Sequence, residues 1–370
     1  MSFLKKIFST KEAEKEPEVL LEEESPLCPI KAIVEQDERV VYFYLWGDEE
    51  TNFGIKSCWV RNLTHAPDEL ETKLLNKGIP PLLPRQYCKF PEGQEKLKPG
   101  DLSIVWLEEG DGAALFLKDE ILAIIPAWSG LEDFPGYARD CKGHGNFAWE
   151  ITDSNELPER VEQAIACWYS WSSELNPFRL EQPRILEVYE DLLGKSDKYY
   201  AIDGNQWPPK GLYLRNGASK TVFATVGLSL IPMPSVEMYV DDRLEHNRIE
   251  LGIILDSQLQ ESDLQNIAEW ISGQACLPWD NITFFGEGHT INFQPLNSNK
   301  FNSVILTNQL ELLPKIELGK YRNSHVNFLW MVPISQKERK DVIDNGSESL
   351  ISKLDKIGTA IYSLDRDEVV

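Results

Sequence analysis

The chain has 370 residues, 42% hydrophobic and 10% aromatic, enough for a sizeable core in two domains or one large one. Lys and Arg number 37 against 60 Asp and Glu, a formal net charge of −23, which repels a phosphate backbone and speaks against nucleic-acid binding. No apolar run approaches the roughly 20 residues of a bilayer span, and MSFLKKIF at the start is too short and too weakly apolar for a secretory signal, so the reading is a soluble cytoplasmic protein without a membrane partner.

Residues 1–26 read as an acidic, disordered tail, because STKEAEKEPEVLLEEESP is charged and poor in aromatics. Its end, VLLEEE, has room for a short helix. Order is expected from Pro26. VVYFYLWG (40–47) and IKSCWVRNL (55–63) have strand composition, and TNFG between them is turn chemistry. APDELETKLLNKG (66–78) predicts a helix: proline opens it, acids fill its first turn, Leu70, Leu74 and Leu75 form a stripe, and Gly78 stops it. IPPLLPRQYC is a proline-rich connector. SIVWLE, AALFLK and EILAIIP then predict an antiparallel meander turning at EGDG and KDE.

The pattern changes near residue 152. SNELPERVEQAIACWYSWSSEL is helical by period, with Val161, Ile165, Trp168 and Trp171 on one face, and QPRILEVYEDLL (182–193) is a second helix ending at Gly194. TVFATVGLSLIPM (221–233) and IELGIIL (249–255) are strand-like. SDLQNIAEWISGQ (262–274) is a helix with Ser262 as its N-cap. NSVILTN and VNFLWMVPI are strands. Pro333 should end the second, and Ser335 with Glu338 three residues on makes a capping box for the closing helical stretch. Strands and helices mix without a βαβ rhythm, so the fold class is α+β, with mixed, largely antiparallel sheets and packed helices in two modules. The divisions are the tail at 1–26, an N-terminal α+β module at 27–152, a helical connector at 153–200 and a second α+β domain at 201–366.

The chemistry-bearing residues are scattered. Six cysteines stand apart with no CxxC pair, so neither a zinc site nor a disulfide framework is expected. Glu108, Glu109 and Asp111 in EEGDG could hold a cation, but they lack the spacing of a calcium loop, and a tight turn accounts for the glycines. His144 beside Cys141 has no visible third group. Cys276 and His289 could pair, with Asp280 or Glu287 orienting the imidazole, yet no nucleophile elbow surrounds the cysteine, and GEGHT reads as a hairpin turn between TFF and INF. No catalytic residue, metal or cofactor is therefore assigned. KYYAIDGNQWPPKG (198–211) joins aromatics to turn residues, as contact loops do, and a packed surface loop would look the same; its Tyr199, Tyr200, Asp203 and Trp207 are the partner-binding candidates.

HVNFLWMVPISQKERKDVIDNGSESLISKL resembles the closing signature of the suppressor of fused domain family. There an apolar strand meets a P-I-[ST]-x-x-E turn and then a helix with an internal glycine and a leucine; the matching positions are Pro333, Ile334, Ser335, Glu338, Gly346 and Leu350. TVGLSLIPMP, RIELG, LPWD and FGEGHTI resemble its bacterial branch, as do FGIKSCWVRNL, EEGDGAALF, WSGLEDFPGYARDC and KYYAIDGNQWPPKG. The resemblance covers most of 27–360. It implies a mixed α/β protein-binding module without catalysis, similar in bacteria to immunity proteins that neutralise a cognate toxin. Animal relatives bind transcription factors by pairing a peptide strand in a cleft between two domains. The acidic charge suits a basic toxin domain as partner. Two alternatives stand beside this reading: a hydrolase-type enzyme with an unrecognised site, and an intracellular scaffold or regulator that binds a peptide strand.

Overall fold

The computed structural model describes residues 17–152, 156–256, 258–296 and 300–370. The chain is α+β and divides into two compact units. One ends at Trp168, the other begins at Tyr169, and the division falls inside one helix.

The first unit contains two sheets. Strands β1 (Glu18–Glu24), β2 (Ile30–Gln36), β3 (Val40–Gly47) and β4 (Ile55–Asn62) form an antiparallel sheet in chain order. β1 lies where a tail was expected. Composition misled there because pairing with β2 uses backbone groups, which charged side chains do not disturb. Leu20 is buried, Lys31 pairs with Glu22, and Trp106 donates to Glu23. Residues 1–16 of the expected tail lie outside the described residues. The predicted helix at 66–78 is reduced to one turn, α1 (Thr72–Leu75), which buries no residue. A short helix is marginal unless its apolar face is packed, and this one is not.

β5 (Leu102–Trp106), β6 (Ala113–Leu117), β7 (Glu120–Ile125), β8 (Tyr137–Ala138) and β9 (Trp149–Glu150) form the second sheet. Its first three strands are the antiparallel meander, and Leu107 N–H bonds Gly112 O across the EGDG turn at 2.8 Å. Helix α2 (Leu157–Ser172) packs Leu157 and Val161 against Leu107, Ala114 and Ile124. Its buried stripe is rotated from the predicted one: Ala164 and Cys167 point inward, and Ile165 is exposed.

The second unit is built on one eight-stranded sheet. In chain order its elements are α3 (Pro177–Leu193), β10 (Lys198–Ala201), β11 (Gly211–Asn216), β12 (Thr221–Val226), α4 (Arg243–His246), β13 (Arg248–Leu255), α5 (Glu261–Asp280), β14 (Thr290–Asn292), β15 (Ser303–Thr307), β16 (Lys320–Tyr321), β17 (Ser324–Ile334), α6 (Gln336–Asn345) and α7 (Ser347–Asp355). The sheet order is β10-β11-β12-β13-β17-β15-β14, with β16 turning back on β17. All its pairs are antiparallel except β13 with β17. β12 and β13 are buried at every position, as expected of strands covered on both faces. On one face Tyr189 and Ile185 of α3 meet Tyr213, Ala224, Phe328 and Trp330.

Several predicted boundaries move. α3 begins at Pro177, because the Asn176 side chain accepts from Phe178 N–H and Arg179 N–H. α5 starts at Glu261 after Gln260 and runs through LPWD to Asp280, so Ser262 is inside the helix and does not cap it. TFF is not a strand; the β14 partner is β15. β17 continues through Pro333, which sits opposite Val304, and ends at Ile334. The predicted capping box is present: Ser335 Oγ accepts from Glu338 N–H, and Glu338 Oε2 accepts from Ser335 N–H.

Candidate functional site

β10 is an edge strand, and its register fixes what it presents. Lys198, Tyr199, Tyr200 and Ala201 lie opposite Leu214, Tyr213, Leu212 and Gly211. Ile202 N–H donates to Lys210 O at 3.0 Å. Hydrogen-bonded pairs alternate in an antiparallel ladder, so Lys198 and Tyr200 bond inward to β11. The N–H and C=O of Tyr199 and Ala201 face the outside of the sheet.

Side chains flank this edge on both faces. The Tyr199 ring lies over Gly211, where a β-carbon would fall 1.7 Å from its hydroxyl. Gln182 Nε2 of α3 donates to that hydroxyl at 2.6 Å. Burial pushes the Tyr199 phenol up, against the lowering effect of the Gln182 bond. On the other face, Lys198 Nζ reaches both carboxylate oxygens of Glu261 at 2.7 Å.

The loop after β10 is held from inside. Asp203 accepts from Asn205 N–H at 2.8 Å and Lys210 N–H at 3.1 Å, so its carboxylate shapes the loop. Gly204 and Asn205 adopt positive φ, which these two residue types tolerate best. Trp207 is 41% exposed and meets the Trp171 ring edge-on, with centroids 5.3 Å apart. Ser272 Oγ of α5 donates to Ile202 O at 2.6 Å. The fold thus sets Tyr199, Tyr200, Asp203 and Trp207 on one edge strand and its loop, with Asp203 in a supporting position.

The other candidates do not converge. Cys276 Sγ accepts from Lys210 Nζ at 3.6 Å, while His289 packs on Phe284 and burial lowers its pKa. Asp280 is exposed, and Glu287 accepts from Asn308 N–H. Cys141 donates to Ala148 O, with its thiol pushed up to about 11 by burial, and His144 stacks on Trp149. Glu109 pairs with Arg160 at 3.2 Å. Among the described residues, no group of His, Cys, Asp and Glu could hold a metal, and no helix is long and apolar enough to cross a membrane.

Two buried charge systems lie outside the site candidates of the residue pattern, which shows only Glu338, as a capping residue. Glu250 accepts from Thr225 Oγ1, Gly227 N–H, Ser229 N–H and Ser229 Oγ. Arg248, two residues before it, donates to Ser229 O and Leu230 O. The pair grips the 228–230 turn from both ends. Burial, opposed by those four bonds, pushes the Glu250 carboxyl up to about 7. In the second system Arg366 bonds both oxygens of Glu338 at 2.7 and 2.8 Å. Val369 N–H also donates to Glu338. Burial alone would raise the Glu338 carboxyl, but Arg366 and the two amides hold it below the usual range. The available signal for the first system was RIELG itself, two charges at alternate positions in an apolar strand.

Residues 210–367 match the family model of Suppressor of fused protein (SUFU). Over those residues the chain is similar to the suppressor of fused family. The match takes in β11 to α7 with Glu250, Glu338 and Arg366, and begins just after Trp207. Among solved structures, a SUFU homologue from Neisseria gonorrhoeae FA 1090 is 17% identical, with 52% of this chain and 98% of that one covered and a TM-score of 0.38. The Sufu–Fu complex is similar at 13% identity, 51% and 92% coverage and a TM-score of 0.37. Drosophila Suppressor of Fused is similar at 13%, 52% and 51%, and 0.35. No curated protein matches the chain.

Proposed function

We propose that this protein is a suppressor of fused domain protein and a non-catalytic cytoplasmic binding module. It captures an extended segment of a protein partner on the open edge of β10. That outward row of backbone donors and acceptors is the observation that carries the reading, because an added strand gains affinity from main-chain bonds and selectivity from flanking side chains. Tyr199, Tyr200 and Trp207 are the flanking contacts, and Asp203 keeps the loop in place. The partner is a basic toxin domain and the protein its immunity protein, in keeping with the net charge of −23 and the resemblance to the bacterial branch. A scaffold or regulator would use the same edge, and the partner's identity separates the two.

The test is capture of partners from the native lysate, identified by mass spectrometry, with wild type and Ala201→Pro. Proline removes an outward N–H that the β10–β11 ladder does not use, so the variant should keep its melting temperature. The wild type should retain one basic partner, and Ala201→Pro should lose it. Equal capture by a folded Ala201→Pro would exclude the β10 edge.

A further inference from the structure

The residue pattern suggested a Cys276–His289 pair; the fold gives Cys276 a cation as neighbour. Of the six cysteines, five are buried and Cys276 is partly exposed. Lys210 Nζ lies 3.6 Å from Cys276 Sγ and 5.6 Å from the centre of the Trp279 ring. Lys210 is only 6% exposed. Among the described residues, the thiol and the indole face are the partners of its side chain, and neither is a carboxylate. The backbone of Lys210 is tied at both ends, its N–H to Asp203 and its carbonyl to Ile202. The main chain that carries the ammonium is therefore fixed, and burial confines the side chain beside the sulfur.

A cation beside the sulfur stabilises the charge that develops there as it attacks an electrophile. A neighbouring cation is also what turns a thiol into a nucleophile. Cys276 sits near the C-terminal end of α5, far from the helix N-terminus that would favour negative charge, so any activation comes from Lys210 and not from the helix.

We propose that Cys276, paired with Lys210, is a reactive thiol and the position at which a peroxide or other soft electrophile modifies this protein. With a peroxide, the sulfur attacks one oxygen, the S–O bond forms and the O–O bond breaks. The sulfur gives up two electrons to become a sulfenic acid. The other oxygen leaves and, with hydrogen peroxide, takes the thiol proton as water. This chemistry is independent of what the β10 edge binds.

The experiment is timed labelling of the native full-length protein with iodoacetamide, with each cysteine quantified by peptide mass spectrometry. Cys276 should label at least about tenfold faster than any of the buried five. Lys210→Arg should keep the rate within about twofold, and Lys210→Met should slow it at least about fivefold. The reference that does not depend on Lys210→Met folding is Ile343→Cys in a Cys276→Ser background, since Ile343 is 71% exposed. Cys276 should react faster than that well-exposed cysteine. The proposal is overturned if Cys276 is slower than the reference, or if a folded Lys210→Met labels like wild type.

Discussion

Glu250 shows how much one side chain can decide. It is fully buried, its four partners are neutral donors, and its carboxyl is raised from an ordinary 4.5 to about 7. The folded chain therefore holds this proton more tightly than the unfolded chain does. Its contribution to stability is fully present below pH 4.5 and is lost as pH rises through about 7. Urea unfolding of wild type and Glu250→Gln across that window should diverge by about 3 kcal/mol, with the wild type losing more. Parallel curves would show that the carboxyl is not the titrating group. Arg366 is the opposite case, a cation that neutralises a buried acid. Arg366→Ala leaves Glu338 buried and charged, and should lower the unfolding free energy by about 3–5 kcal/mol. Replacing both residues, Glu338→Gln with Arg366→Met, should cost less than Arg366→Ala alone. Of these residues only Glu338 was visible in the sequence, because a capping box has a fixed local spacing. Its partner lies 28 positions away and no spacing rule reaches it.

At the level of elements, legibility followed locality. β3, the 102–125 meander and the strand, cap and helix around Ser335 could be read because neighbouring residues build them. The helix at 66–78 could not, since its leucine stripe has nothing to pack against, and β1 could not, since its stability comes from β2. The candidate site was half legible. The aromatic content of 198–211 marked out the segment, but that β10 is an edge, and that Tyr199 leans on Gly211, are facts of pairing. That lean makes a second prediction. Gly211→Ala sets a β-carbon where the Tyr199 hydroxyl now lies, and the ring, at the flexible end of a partly exposed side chain, is what moves. Partner affinity should fall by about tenfold or more, as for loss of an aromatic contact, while the melting temperature changes little. A large drop in melting temperature with unchanged affinity would show that the ring serves the core.

For the whole molecule, the charge of −23 acts at distances beyond any contact. The association rate with a basic partner should fall steeply as salt rises past about 0.1 M, where the screening length is near 10 Å, with a smaller change in the dissociation rate. A salt-independent association rate would remove the electrostatic argument for that partner. Topology matters at the same scale. The centre of the large sheet is the parallel pair β13–β17, and all of α5 to β16 lies between those two strands in the chain. β10 to β13 follow one another in both chain and sheet, so their pairings close shorter loops than β13–β17, and the apolar flank of β13 stays open until β17 arrives. During synthesis that flank would offer an opening to a holdase chaperone or to another copy of the same strand. A free peptide with the sequence SHVNFLWMVPI would compete for the slot, and would act as a poison of folding while leaving the finished protein untouched.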